Sequence, residues 1–152
     1  MADLAENLAA WAAREASVKA VVLIGSRVRA ADDAAGGADA ASDWDFHVIT
    51  SQPEPFARSA WTAALGLGAP LAYVERWGVL GSSRKVSAVF AGGELDLVVL
   101  PAGRLQLAAM AMSLGLHRQL PSLHRALGDL AIVIRPGYRF LHGAGAWAPF
   151  YA

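Results

Sequence analysis

The chain has 152 residues, with 13 basic and 13 acidic side chains that cancel at neutral pH, four histidines and no cysteine. One domain, residues 1–152, is expected at this length, and the missing thiols exclude Cys-type metal sites, thiol catalysis and disulfides. Hydrophobic residues make up 55% and charged ones 17%, a globular composition whose neutral balance argues against a long nucleic acid as partner, since that affinity comes from neutralising many phosphates.

From Asp3 to about Ala16, Leu4, Leu8 and Trp11 recur at helical spacing, which predicts an amphipathic helix capped by Asp3. Val18 to Ile24 is a β-branched run that stops at Gly25-Ser26, the pattern of a buried strand and a tight turn. Residues 30–42 are small and aperiodic, so a flexible loop is expected. Trp44 to Ile49 alternates as a strand, and Pro53 suits the first turn of a helix running to about Leu65. A strand is expected at Leu71 to Trp77. The runs Lys85 to Phe90 and Glu94 to Leu100, joined by Ala91-Gly92-Gly93, predict a hairpin. Pro101 ends it, Arg104 to about His117 has helical spacing, Pro121 marks a break before a short helix, and Leu130 to Ile134 reads as a last strand. The apolar tail, 144–152, with Trp147, Phe150 and Tyr151, offers either a contact surface for a homodimer or further core. This order predicts an α/β (α+β) fold: a mixed β-sheet with helices packed mainly on one side. No apolar run approaches the ~20 residues that span a bilayer. Asp3 and Glu6 stand where an export signal carries positive charge, so a cytoplasmic chain with no membrane partner is expected.

Three features carry chemistry. In Gly25-Ser26-Arg27, glycine lets a ligand approach the backbone, N–H and hydroxyl groups donate to phosphate oxygens, and arginine adds charge. Asp43 and Asp45, two apart on a strand, share a face at roughly 6.6 to 7 Å along the chain. Two carboxylates side by side repel and call for a cation. Asp96 interrupts an apolar run, with Glu94 on its face; it should face a metal, a basic partner or water. Three aspartates supply enough oxygen ligands for two hard divalent ions, which keep their remaining positions for water and nucleotide phosphates. Together the features point to nucleotidyl transfer. His47 shares the face of the aspartates as a packed neighbour, and Ser82, Ser83, Arg84 and Lys85 stand at the hairpin's entry.

Ile24-Gly25-Ser26, Asp43-Trp44-Asp45-Phe46 and Leu95-Asp96-Leu97 resemble the signature of the DNA polymerase β-like nucleotidyltransferase superfamily. Over about residues 20 to 135 the chain looks most like the N-terminal domain of streptomycin-type aminoglycoside 6-adenylyltransferases. Its 16-residue spacer, 27 through 42, is longer than the compact form of that motif. The resemblance implies a nucleotidyltransferase fold in which Gly25, Ser26 and Arg27 bind the phosphates of a nucleoside triphosphate. Asp43 and Asp45 would bind magnesium, two ions in all, and Asp96 would complete the metal site or act as general base. It implies transfer of AMP from ATP to a hydroxyl of a small molecule, an aminoglycoside first among them. The rival reading is a minimal nucleotidyltransferase of a toxin–antitoxin pair that modifies a partner protein.

Overall fold

The computed structural model describes residues 4–29, 43–77, 83–135 and 137–151. The Asp3 cap, the loop expected at 30–42 and Ser82 lie outside them. Helix α1 (Leu4–Arg14) leads into β1 (Val18–Ile24), a one-turn α2 (Ser26–Arg29) and β2 (Trp44–Thr50). Two 3-10 segments precede β3 (Ala72–Trp77), β4 (Arg84–Phe90) and β5 (Gly93–Pro101). Helices α3 (Ala102–Ser113) and α4 (Pro121–Ile134) flank a 3-10 turn, Leu116–Gln119, and β6 (Tyr138–His142) and α5 (Ala144–Tyr151) close the chain.

One six-stranded mixed sheet runs in the order β3-β4-β5-β2-β1-β6. Only β2 and β5 are parallel; the other pairings are antiparallel. β4 and β5 form the expected hairpin, Phe90 pairing with Gly93. Cover on both faces accounts for the sequence of β1: every residue but Lys19 is buried, with Val21 and Leu23 in one core and Ala20, Val22 and Ile24 in the other, so the strand is apolar on both faces.

The larger core lies on one face, where α1 inserts Leu4, Leu8 and Trp11 against Val21, Leu23, Phe46, Val48 and Leu97. Trp11, Phe56 and Trp61 pack ring against ring at 4.9 to 6.0 Å. A smaller cluster on the other face joins Ala20, Val22, Ile24, Ile49 and Leu100 to Trp147 and Tyr151 of α5. The helices therefore reach both faces, unequally, and Trp147 and Tyr151 of the tail belong to the chain's own core.

Two expectations are corrected. Leu130 to Ile134 is the end of α4: Leu123, Leu127, Leu130 and Ile134 recur at spacings of four, three and four, a helical stripe that outweighs the local β-branched run. The last strand is β6 instead, paired with β1. The helix expected from Pro53 to Leu65 is split into Glu54–Ala57 and Ser59–Leu65, with Arg58 extended at φ −132°, ψ 154°. The break falls at Arg58, whose N–H donates to the Pro55 carbonyl and closes the first segment as a 3-10 turn.

Candidate active site

The site is built on the sheet face that carries the smaller core. On β2 the alternation sends Trp44, Phe46 and Val48 toward the large core, which leaves Asp45 and His47 on the opposite face with Ile49. The parallel register sets Asp45 beside Asp96 of β5. The antiparallel register sets it beside Ile24, the last residue of β1. Asp45 thus sits between the third aspartate and the Gly25 turn.

Carboxylate oxygens of Asp43, Glu94 and Asp96 all lie within 4.8 Å of one another. Among the described residues this is the one group of three or more His, Asp or Glu side chains so arranged. Asp45 borders it. Burial raises the pKa of Asp45 most, the charges of Asp96 and Asp43 raise it further, and Lys85 opposes them. Asp43 is the main cause that raises Glu94, with burial and Asp96 adding to it and Lys85 again opposing. The repulsion anticipated between two aspartates is therefore shared by four carboxylates. Oδ1 of Asp96 is buried without a hydrogen-bond partner, an acceptor whose desolvation nothing in the protein offsets. An all-oxygen, multiply anionic set of this kind suits a hard divalent cation such as Mg²⁺.

Gly25 takes φ +79°, a region that L side chains rarely adopt. A Cβ on it would come within 2.7 Å of Asp45 Oδ2, so a side chain is excluded by conformation and by the carboxylate alike. Ser26 begins the α2 turn. The Arg27 guanidinium lies 4.0 Å from the centroid of the Trp44 ring, a cation–π contact. Trp44 stacks in turn on Phe46 at 6.1 Å.

A cleft of about 460 Å³ opens over this face, lined by Gly25, Asp45 and Asp96 and extending to Arg76, Lys85 and Asp129. His47 also lines it, but Nδ1 is 2.9 Å from the Tyr151 hydroxyl and burial pushes the imidazole pKa down to about 4, so His47 is the packed neighbour expected. Of the described residues at the hairpin's entry, Lys85 alone borders the cleft: Ser83 is buried, and Arg84 is bound to Glu75 at 2.6 Å. His117 and His124 fall on separate elements.

Sequence reasoning left Glu94 out of the site. Its signal was the spacing Glu94-Leu-Asp96, which puts both carboxylates on one face of a strand; only the position of β2 beside β5 shows that this face meets Asp43.

No protein-family model matches the chain, and no curated protein does. A solved structure similar to it is an aminoglycoside 6-adenyltransferase from Bacillus subtilis, at 15% identity and a TM-score of 0.47. That similarity covers 70% of this chain, which spans 38% of the length of the Bacillus protein. No helix among the described residues is long and apolar enough to cross a membrane.

Proposed function

We propose that this chain is a magnesium-dependent nucleotidyltransferase that moves AMP from ATP to a hydroxyl group. The observation that supports it most is the convergence of Asp43, Glu94 and Asp96 within 4.8 Å, beside Asp45 and a turn at Gly25 whose φ of +79° any Cβ would strain. Asp43, Asp45 and Asp96, joined by Glu94, would hold two Mg²⁺ ions. When bound, these ions supply charge stabilisation for the attacking oxygen and the departing pyrophosphate.

The chain's own residues have separable parts in this reading. Gly25 and Ser26 admit and bind the triphosphate, with Arg27 at the edge of the turn. The acceptor hydroxyl forms a bond to the α-phosphorus, the bond from that phosphorus to the pyrophosphate oxygen breaks, and the hydroxyl proton passes to a carboxylate. Asp96 suits that last role because its Oδ1 has no other partner. The same atom also suits a metal ligand, and the two roles separate by pH profile once activity is measured.

The acceptor is a small molecule, with aminocyclitols of the aminoglycoside kind the first to assay, and the proposed setting is the cytoplasm. A partner protein as acceptor is the second reading, favoured by the exposed Leu107 and Met110 of α3 and Leu114 just after it, the composition of a protein-binding surface; a second copy of the chain is another way to cover it. Incubation with labelled ATP and Mg²⁺, together with aminoglycosides or cell extract, tests both readings. Label on a small molecule upholds the first, label on one protein band upholds the second, and no transfer to either contradicts the proposal.

A further inference from the structure

The cleft has two unlike flanks. Along the sheet, the carboxylates on β5 and β2 stand in the middle, with the Gly25 turn beyond β1 on one side. On the other side Arg76 of β3 and Lys85 of β4 are direct cross-strand partners, and both line the cleft. Three strand spacings, roughly 14 Å, separate the Gly25 flank from Lys85.

Two like charges directly opposite each other on adjacent strands are unfavourable unless something pairs with them. The same two strands show the contrast. Arg84, adjacent to Lys85, is bound to Glu75 of β3 at 2.6 Å, whereas no ion pair of Arg76 or Lys85 occurs among the described residues. The charge of Lys85 does reach Asp45 and Glu94, but two divalent ions would neutralise the four carboxylates Asp43, Asp45, Glu94 and Asp96. Among the described residues, Asp129 of α4 then remains as the only acid lining the cleft against two cations, which leaves their flank net positive.

We infer that Arg76 and Lys85 form an anion subsite for the acceptor, which carries a phosphate, carboxylate or sulfate group near the hydroxyl that is modified. This rests on the nucleotidyltransferase reading and departs from it on the acceptor: an aminoglycoside, whose charges are cationic, would meet two cations on this flank, so a hydroxyl compound with an anionic group takes its place. The triphosphate is assigned to the opposite flank, at Gly25 and Ser26, so the anion at Arg76 and Lys85 is a second one.

Titration of inorganic phosphate into the protein, with Mg²⁺ and a non-hydrolysable ATP analogue already bound, tests the assignment by calorimetry or by shifts of the Arg76 and Lys85 signals in NMR. The expected result is phosphate binding in the presence of the analogue. In Arg76→Gln/Lys85→Gln, phosphate should bind at least tenfold more weakly and the analogue within twofold of the native chain. Each single variant, checked by circular dichroism, should show a smaller loss of the same kind. If the analogue blocks phosphate, or the double variant loses the analogue instead, the flank belongs to the nucleotide and the inference is overturned; equal phosphate binding by native chain and variant overturns it as well. If the analogue does not bind the native chain, the nucleotidyltransferase reading fails, and the same titration with Mg²⁺ alone still decides whether Arg76 and Lys85 hold an anion.

Discussion

Asp45 is held where its charge is least favoured: burial raises its pKa, and Asp96, Asp43 and Glu94 raise it further against the opposing Lys85. A carboxyl group whose folded pKa lies above its unfolded value weakens the fold as pH rises through the folded value. In metal-free buffer at pH 7, Asp45→Asn should therefore raise the melting temperature, while Mg²⁺ binding falls at least tenfold. Unchanged stability together with unchanged Mg²⁺ binding would sink this account of the residue. Gly25→Ala should act in the opposite sense on stability, because it combines strain at φ +79° with a contact of 2.7 Å to Asp45 Oδ2. A loss of about 1–3 kcal/mol by denaturant titration is expected, with Mg²⁺ affinity reduced as Asp45 is displaced. His47 titrates with the other sign. Its ordinary pKa of 6.5 is pushed down to about 4 by burial, so the unfolded chain takes up a proton before the folded one. Stability should fall as pH drops from 6.5 toward 4, by about 3 kcal/mol in all. The difference between the native chain and His47→Leu, followed by denaturation at pH 7 and 4.5, isolates this contribution.

At the level of elements, the last strand and helix are the least obvious part of the chain. Gly143, at φ +71°, turns β6 into α5, and a Cβ there would overlap the carbonyl oxygen of Lys19 in β1. Gly143→Ala should loosen β6 from β1 and undock Trp147 and Tyr151, lowering the melting temperature by about 10 °C if the loss approaches 3 kcal/mol. The strands β1, β2, β4 and β5 were legible because alternation, or a run of β-branched residues closed by a glycine turn, has few other outcomes. Asp45 and Asp96 were legible as acids placed where strands disfavour them, and Asp43 by its spacing of two from Asp45. β6 was not, since Tyr138 to His142 is short and carries Arg139 and His142 amid apolar residues; its place comes from pairing with β1. Glu94 was hidden for a related reason: a lone strand's alternation names a face but not which strand will lie beside it.

Across the whole molecule, apolar surface is unevenly placed. The α1 face is filled, whereas Leu107 and Met110 of α3 and Leu114 just after it are exposed at 66%, 60% and 67%. Replacing all three with Gln should change the melting temperature by no more than a few degrees, since little packing is lost, and should raise solubility; a collapse of the fold would show that these side chains are buried against something in solution. The four acids of the site, by contrast, come from only two neighbouring strands and the residue just before β2, so the sheet registers alone fix their positions. The central claim is that these acids serve a metal-bound nucleotide. Equilibrium binding of ATP to the native chain and to Asp45→Asn, each with and without Mg²⁺, tests it most directly. The account predicts that the native chain binds ATP only when Mg²⁺ is present and that Asp45→Asn weakens this binding at least tenfold; ATP binding that ignores both the ion and the substitution would contradict it.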